Sequence, residues 1–297
     1  EREAGRVQPQ VAPRQVVFEG AGEMHDHFVH VTDDERAVRG DTEVIVSEER
    51  PVPLDQHILM RTKLIDLFDS SGLVATHRVN PELVQMARYG GRTLSAKQMK
   101  DVGRYHSRGG RPENQRMDRP DVVKLLEGKN LLPAIFFVFS RIGCDQAVSK
   151  VLRAGIRLTT VPERDEIRAI VEDRCRTLLD EDLAVLGYWD WLSGLERGVA
   201  AHHAGLLPAF KEVVEELFQK KLVKVVFATE TLALGINMPA RTVVLEKLEK
   251  FNGEARVPIT PGEYTQLTGR AGRRGIDVEG HSVIQWADGL DPQAVAS

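Results

Sequence analysis

The second half of the chain alternates short apolar runs with amphipathic segments, and this alternation limits the possible folds more than any other feature. Near-continuous apolar runs at 131–139 and 223–228 are typical of strands that are buried on both faces. One helix between them is predicted by five apolar residues at helical spacing, Phe210, Val213, Val214, Leu217 and Phe218. Strands that alternate with helices form βαβ units, so the sequence predicts an α/β fold with a central parallel sheet flanked by helices.

Other segments extend this pattern. We predict strands at 42–46, 242–245 and 282–286, helices at 163–179, at 262–268 and after the capping residue Ser140, and either a strand or a helix at 58–67. The sequence thus predicts three parts: a partly irregular N-terminal segment (1–40), an entry strand with an insertion or linker (41–127), and the α/β domain itself (128–297). Within the second part, the basic stretch 97–119 is interpreted as a solvated insertion, with nucleic-acid contact as the less favoured alternative.

Composition excludes several classes of protein. The 297 residues carry 40 Lys+Arg against 44 Asp+Glu, so any binding to nucleic acid must be local and cannot rest on bulk charge. The longest apolar run is too short to cross a bilayer, and no secretory leader opens the chain, so we expect no membrane partner and a cytoplasmic location. Because the first residue is Glu1 rather than Met, we expect a piece of a longer chain.

Several histidine, cysteine and tryptophan residues are of types that can bind ligands or react, but we interpret their roles as structural. His25, His27 and His30 have metal-like spacing but lie in a polar tract, so no metal site is predicted. His202 and His203 are expected to have structural or backbone-contact roles. Four further side chains are expected to lie in the core, namely Cys144, Trp189, Trp191 and Trp286. For the three tryptophans, stacking on bases is the alternative.

An arginine-rich segment at 266–275 (Q-L-T-G-R-A-G-R-R-G) is the strongest chemical signal. Arg270 and Arg273 are three residues apart and would project on one side, where guanidinium groups bind phosphate in bidentate fashion. A solvated basic turn is the alternative. The arginine-rich segment stands between a predicted helix and a predicted strand, so we expect it at the carboxyl edge of the sheet, where α/β proteins bind their ligands. The hydroxyls that follow the strand 223–228 are a weaker phosphate signal at the same edge.

Four motifs together resemble one known family. They are F-V-F-S-R (137–141), H-H-A-G-L-L-P (202–208), T-E-T-L-A-L-G-I-N-M-P-A (229–240) and Q-L-T-G-R-A-G-R-R-G (266–275). In order and spacing they are similar to motifs of the second RecA-like lobe of superfamily 2 helicases, above all the superkiller-type DExH-box group with its HelY-like bacterial members. The resemblance implies a RecA-like lobe that works with a first lobe of the same protein.

The resemblance also implies roles for individual residues. ATP and Mg²⁺ would be held mainly by the first lobe, with Arg270 and Arg273 as arginine fingers and Gln266 beside the γ-phosphate. Gly235, Asn237 and Gly269 correspond to positions that contact the nucleotide or couple it to nucleic acid. Six residues correspond to contacts with the strand that the helicase tracks, namely Ser140, Arg141, Gly205, Thr229, Glu230 and Thr231. RNA is the expected substrate, and DNA is the alternative.

The chain also departs from the family pattern. It contains no G-x-x-x-x-G-K-[ST] phosphate loop, no S-A-T motif and no DExH box, and the nearest segment, 180–183, reads D-E-D-L. We therefore expect a fragment that holds the second lobe and cannot unwind nucleic acid alone. The alternative is a non-catalytic RecA-like module that binds nucleic acid or a protein.

Overall fold

A computed structural model describes residues 50, 52–69, 78–88, 116–176, 183, 185–233, 238–251, 253–287 and 290–296, and the backbone of 16–19 and 44–47. The chain divides into two units, 1–51 and 52–297. In the first, β1 (Val16–Glu19) pairs in parallel with β2 (Val44–Ser47), which confirms the strand predicted at 42–46. The histidines at 25–30 and residues 97–115 of the basic stretch lie outside the described residues.

The second unit is built on a seven-stranded sheet. Its strands are β3 (Leu54–Met60), β4 (Lys63–Asp66), β5 (Ala134–Phe137), β6 (Val199–His202), β7 (Val225–Ala228), β8 (Thr242–Leu245) and β11 (Gly280–Gln285). A separate antiparallel pair consists of β9 (Glu249–Phe251) and β10 (Arg256–Pro258). The order in the sheet is β4-β3-β11-β8-β5-β7-β6, and β4 alone of these strands runs antiparallel to its neighbour. The predicted parallel sheet is confirmed.

The helices of this unit follow from recognisable local signals. They are α1 (Pro81–Arg88), α2 (Arg119–Gly128), α3 (Arg141–Arg153), α4 (Val161–Cys175), α5 (Tyr188–Leu195), α6 (Pro208–Gln219), α7 (Pro261–Thr268) and α8 (Pro292–Ala296), with a 3₁₀ turn at Glu230–Ala233. Ser140 caps α3 as predicted, because its hydroxyl accepts the Gly143 N–H at 3.1 Å. Thr160 and Thr260 each form a reciprocal capping box with a glutamate three residues later.

Alternate residues of the strands enter two core clusters, one on each face of the sheet. Ile135 and Phe137 of β5 join the cluster that contains α6, whose five predicted apolar positions are all buried. Ala134 and Phe136 enter the cluster that contains α2 and α3. Because helices cover both faces, the residues available to a ligand are those at the ends of the strands.

Several side chains differ from the sequence predictions. Trp286 is buried and Trp191 stacks on Phe210, as predicted, whereas Trp189 is 63% exposed, so the prediction of a core position is wrong for it. Cys144 is buried, as predicted, and burial raises the pKa of its thiol to about 12. The prediction of a solvated basic stretch is wrong at its end, where Arg119 donates to the buried Glu246 at 2.6 Å.

We expect Thr160→Ala to lower the free energy of unfolding by about 1 kcal/mol, because the first turn of α4 loses the acceptor that satisfies the Glu163 N–H. Equilibrium denaturation of the two proteins measures the difference. The matched control is Ser149→Ala, which removes a hydroxyl that bonds to the Asp145 carbonyl within α3 and should leave stability almost unchanged. An equal loss in both variants would contradict the capping assignment.

Candidate nucleic-acid and nucleotide site

The carboxyl ends of β5, β7 and β6 bring together residues that are far apart in sequence. Ser140 and Arg141 follow β5, Thr229 follows β7, and His203 follows β6. Because these three strands are parallel neighbours, their carboxyl ends lie at one edge of the sheet. Ser140 and Arg141 are exposed at the start of α3, where N–H groups of a helix favour an anion.

His203 connects the backbone at this edge to α3 through two hydrogen bonds. Its Nδ1 accepts the Gly205 N–H at 3.1 Å, so Nε2 carries the proton and donates to Asp145 of α3 at 3.0 Å. A β-carbon on Gly205 would lie 3.1 Å from His203 Nδ1 and 3.6 Å from the Arg141 side chain. Gly205 therefore lies beside Arg141, and its lack of a side chain leaves the backbone accessible there.

His202, the last residue of β6, is buried and is held by a carboxylate of α6. Its Nε2 lies 2.8 Å from a carboxylate oxygen of Glu215 in α6. Burial lowers the pKa of His202, an effect larger than the opposing contribution of Glu215. The structural interpretation of both histidines is confirmed, since each is buried and bound to a carboxylate.

The segment after β7 continues this edge. The Thr229 N–H donates to the His202 carbonyl at 3.3 Å, and the hydroxyls of Thr229 and Thr231 are 3.0 Å apart. Glu230 and Thr231 are exposed. Glu230 forms an ion pair with Lys250 at 3.1 Å, and Lys250 also binds Glu263 in the first turn of α7. Lys250 thus connects this edge to the helix that leads into the arginine segment.

The arginine segment lies at the opposite, amino edge of the sheet, so the predicted carboxyl-edge location is wrong. The Arg270 carbonyl accepts the Ala240 N–H at 2.8 Å, and the Gly272 N–H donates to the Ala240 carbonyl at 2.7 Å. Ala240 lies two residues before the start of β8 at Thr242. The physical reason is the direction of α7, which begins near Leu248 at the carboxyl edge and returns the chain across the sheet before β11 starts.

Arg270 nevertheless contacts the segment that leaves the carboxyl edge. Its guanidinium is half-buried and donates to the carbonyl of Ala233, the last residue of the 3₁₀ turn after Thr229. Burial lowers the pKa of Arg270, but a guanidinium remains charged at physiological pH. Gln266 and Gly269, at the end of α7, are exposed beside it. One contact therefore joins the arginine segment to the loop that carries the threonines.

Arg273 is held by an internal ion pair. Its Nε and Nη2 donate to the two carboxylate oxygens of Asp277, each at 2.7 Å, and its backbone N–H donates to the same carboxylate at 2.9 Å. The side chain of Asp277 is only 4% exposed and that of Arg273 13%. Burial alone would raise the pKa of Asp277, but the Arg273 hydrogen bonds outweigh it and lower that pKa.

Gly235 and Asn237 lie outside the described residues. Sequence reasoning missed Asp277, Asp145 and Lys250, which orient the motif side chains. A signal existed for Asp277, because an acidic residue four positions after an arginine can pair with it across one helical turn.

Comparisons with known proteins show the family of the chain. Residues 163–275 match the helicase conserved C-terminal domain. The chain is 56% identical to the probable helicase HelY of Mycobacterium leprae, over 88% of this chain and 29% of that protein. It is 38% identical to the DExH-box ATP-dependent RNA helicase DExH15, chloroplastic, of Arabidopsis thaliana, over 83% of this chain and 22% of that protein. It is 37% identical to human superkiller complex protein 2, over 84% and 20% respectively.

The parallel sheet, with these motifs at its ends, defines a RecA-like helicase lobe. The chain belongs to the superfamily 2 helicases of the superkiller/HelY type, as their C-terminal lobe. It spans less than a third of the length of these three relatives. Within the residues that the structure describes, no helix has the length and apolar character needed to cross a membrane.

Proposed function

We propose that this lobe serves an ATP-dependent helicase that acts on RNA, and that its two edges have separate tasks. The carboxyl edge contacts the phosphate backbone of the tracked strand through Ser140, Arg141, Gly205 and the segment 229–231. The amino edge presents Arg270 to ATP held by a first lobe. The observation that carries the proposal is the Arg270–Ala233 contact, because it connects the two edges.

The carboxyl edge has groups suited to contact the sugar-phosphate backbone of a nucleic acid. An exposed helix N-terminus, an exposed arginine, exposed hydroxyls and an open glycine backbone can all contact phosphate or sugar. None of these groups requires a particular base, which suits a strand of any sequence. RNA is favoured because one relative, of Arabidopsis thaliana, is named an ATP-dependent RNA helicase. The proposed contacts include the 2′-hydroxyl of the sugar, which DNA, the alternative substrate, lacks.

The amino edge fits part of a nucleotide site. ATP, with Mg²⁺ bound mainly by the first lobe, supplies the phosphoryl group whose transfer to water drives the cycle. Arg270 would meet the charge that develops on the γ-phosphate, and exposed Gln266 and Gly269 would lie beside it. Arg273 would act as a second arginine held in place by Asp277. Gly235 and Asn237 belong to the segment between Ala233 and Met238, where coupling between the two edges is expected.

We expect Arg141→Gln in the full-length protein to weaken single-stranded RNA binding and to reduce the salt dependence of that binding. Loss of one phosphate contact lowers the slope of log K against log salt concentration by about 0.7 for a single strand. Fluorescence anisotropy at several salt concentrations measures this slope. The matched control is Arg153→Gln at the exposed other end of α3, which should change neither quantity. An unchanged slope for Arg141→Gln would contradict the proposed contact.

A second candidate function is a non-catalytic RecA-like module that binds nucleic acid or a protein partner. The observation that favours it is the Arg273–Asp277 pair, which occupies a guanidinium that a nucleotide would otherwise engage. ATPase assays of the full-length protein, with RNA or DNA as the stimulant, distinguish the two candidates. RNA-stimulated hydrolysis supports the helicase, and its absence supports the module.

A further inference from the structure

Two histidines and an aspartate converge where β3 pairs with β11, and none of the three belongs to a motif described above. His281 of β11 is aligned with Asp55 of β3, and His57 is two residues further along β3. Since alternate residues of a strand share a face, all three side chains point to the same side of the sheet. One ligand atom from each lies within 4.8 Å of the others.

The distance between the two imidazoles suits a shared metal ion. His57 Nε2 and His281 Nδ1 are 3.2 Å apart. Two nitrogens bound tetrahedrally to Zn²⁺ at 2.0–2.1 Å are separated by about 3.3 Å. Imidazole and carboxylate are both ordinary ligands of this ion, so the donor set fits as well as the spacing.

The surroundings of His57 match those of a metal ligand. Its Nδ1 donates to a carboxylate oxygen of Asp66 in β4 at 2.9 Å. This bond places the proton on Nδ1 and leaves the Nε2 lone pair directed at His281. A carboxylate that holds the far nitrogen of a histidine is the usual outer contact of a zinc-bound imidazole.

His281 supplies an independent observation. It is 5% exposed, and in the part of the chain that the structure describes its Nε2 has no hydrogen-bond partner. If both rings are neutral without metal, His281 must donate Nδ1–H to His57, which leaves Nε2 as a buried acceptor with no donor. A buried polar atom without a partner destabilises the fold, because it has lost its hydrogen bond to water and gained none in return.

Metal binding removes this deficit. With Nδ1 bound to the ion, the His281 proton moves to Nε2, which lies 3.6 Å from a carboxylate oxygen of Glu279. A small movement of that half-exposed glutamate would complete a second carboxylate–histidine contact. Each histidine would then have one nitrogen on the metal and the other on a carboxylate.

We propose that His57 Nε2, His281 Nδ1 and the carboxylate of Asp55 bind one Zn²⁺ ion, with water as the fourth ligand. The ion fastens β3 to β11 at the start of β11. That start follows the turn in which Asp277 holds Arg273, so the site anchors the strand directly after the arginine segment. Its role is structural, and it is separate from the Mg²⁺ that accompanies ATP.

The test uses the full chain, freed of metal by a chelator and then titrated with Co²⁺ or Zn²⁺ alone. We expect one Co²⁺ per chain with the intense visible absorption of a tetrahedral site, and a rise in melting temperature with Zn²⁺. Asp55→Asn and His57→Gln should weaken binding at least tenfold, whereas Asp190→Asn, an exposed acid of α5, should leave it unchanged.

Two outcomes would overturn the proposal. One is the absence of stoichiometric binding to the unaltered chain. The other is binding that survives Asp55→Asn but is lost when His25, His27 and His30 are replaced together, which would assign the metal to that tract instead. Because Asp55 is exposed, its variant should fold, so the test does not depend on the more buried His57.

Discussion

Arg270→Ala in the full-length protein should lower the rate of ATP hydrolysis by about 10³–10⁵-fold, the range found for removal of an arginine finger. The reason is electrostatic, since the guanidinium would stabilise charge that appears on the phosphoryl oxygens only in the transition state. RNA binding measured without nucleotide should stay within a few-fold of normal, because the proposed backbone contacts lie at the other edge of the sheet. Steady-state ATPase and anisotropy assays on the same preparation measure both quantities.

Arg274→Ala is the matched control for this prediction. Arg274 belongs to the same basic cluster but is exposed, whereas Arg270 is half-buried against the Ala233 carbonyl. If charge in the cluster were sufficient, the two variants would lose similar activity. Hydrolysis that persists in Arg270→Ala at the level of Arg274→Ala would contradict the finger assignment.

Asp277→Ala should destabilise the chain by about 3–5 kcal/mol, because it leaves the guanidinium of Arg273 without its partner in a site that is only 13% exposed. Chemical denaturation measures this loss. The control is Asp173→Ala, which removes the partner of Arg176 in a surface pair whose side chains are both more than half exposed. Such pairs contribute about 0–1 kcal/mol, so a loss similar to that of Asp277→Ala would contradict the structural role of the buried pair.

The same pair predicts a pH dependence. The pKa of Asp277 is lowered in the folded state, so the carboxylate stabilises the fold fully above its unfolded pKa of about 3.9. This contribution is lost as the pH falls below that value towards the folded pKa. The free energy of unfolding of the unaltered chain should therefore decrease more steeply in this acid range than that of Asp277→Asn. Parallel curves for the two proteins would show that Asp277 does not titrate as the structure implies.

Much of the fold could be predicted because its signals are local. Burial of α6 is predicted by its five apolar positions, and burial of β5 is predicted by the continuous apolar run that contains it. The residue type of Ser140 predicts the helix cap that it forms. The strand β3 could not be assigned, because its sequence mixes polar and apolar residues and its neighbour β11 is more than 200 residues away. Pairing between strands so far apart in sequence produces no local periodicity from which the strand could be predicted.

The candidate site was predictable as a set of residues but not as an arrangement. The motifs identified Arg270 and Arg273 as phosphate-binding candidates, yet their edge of the sheet depends on the direction in which α7 crosses it. The pairing of Arg273 with Asp277 had a local signal in the acid four residues later, but it also requires the turn in which the Asp277 N–H donates to the Arg273 carbonyl at 2.9 Å. The sequence did not point to the three residues of the proposed metal site, because they come from separate positions and none of them stands in a recognisable motif.

The most direct test of the two-edge account compares Arg270→Ala and Arg141→Gln of the full-length protein in one RNA-stimulated ATPase titration. The two variants should have opposite defects. Arg270→Ala should bind RNA normally and hydrolyse almost no ATP at any RNA concentration, whereas Arg141→Gln should need more RNA for half-maximal stimulation but approach the normal maximal rate. Equal losses of maximal rate and of RNA affinity in both variants would contradict the two-edge account.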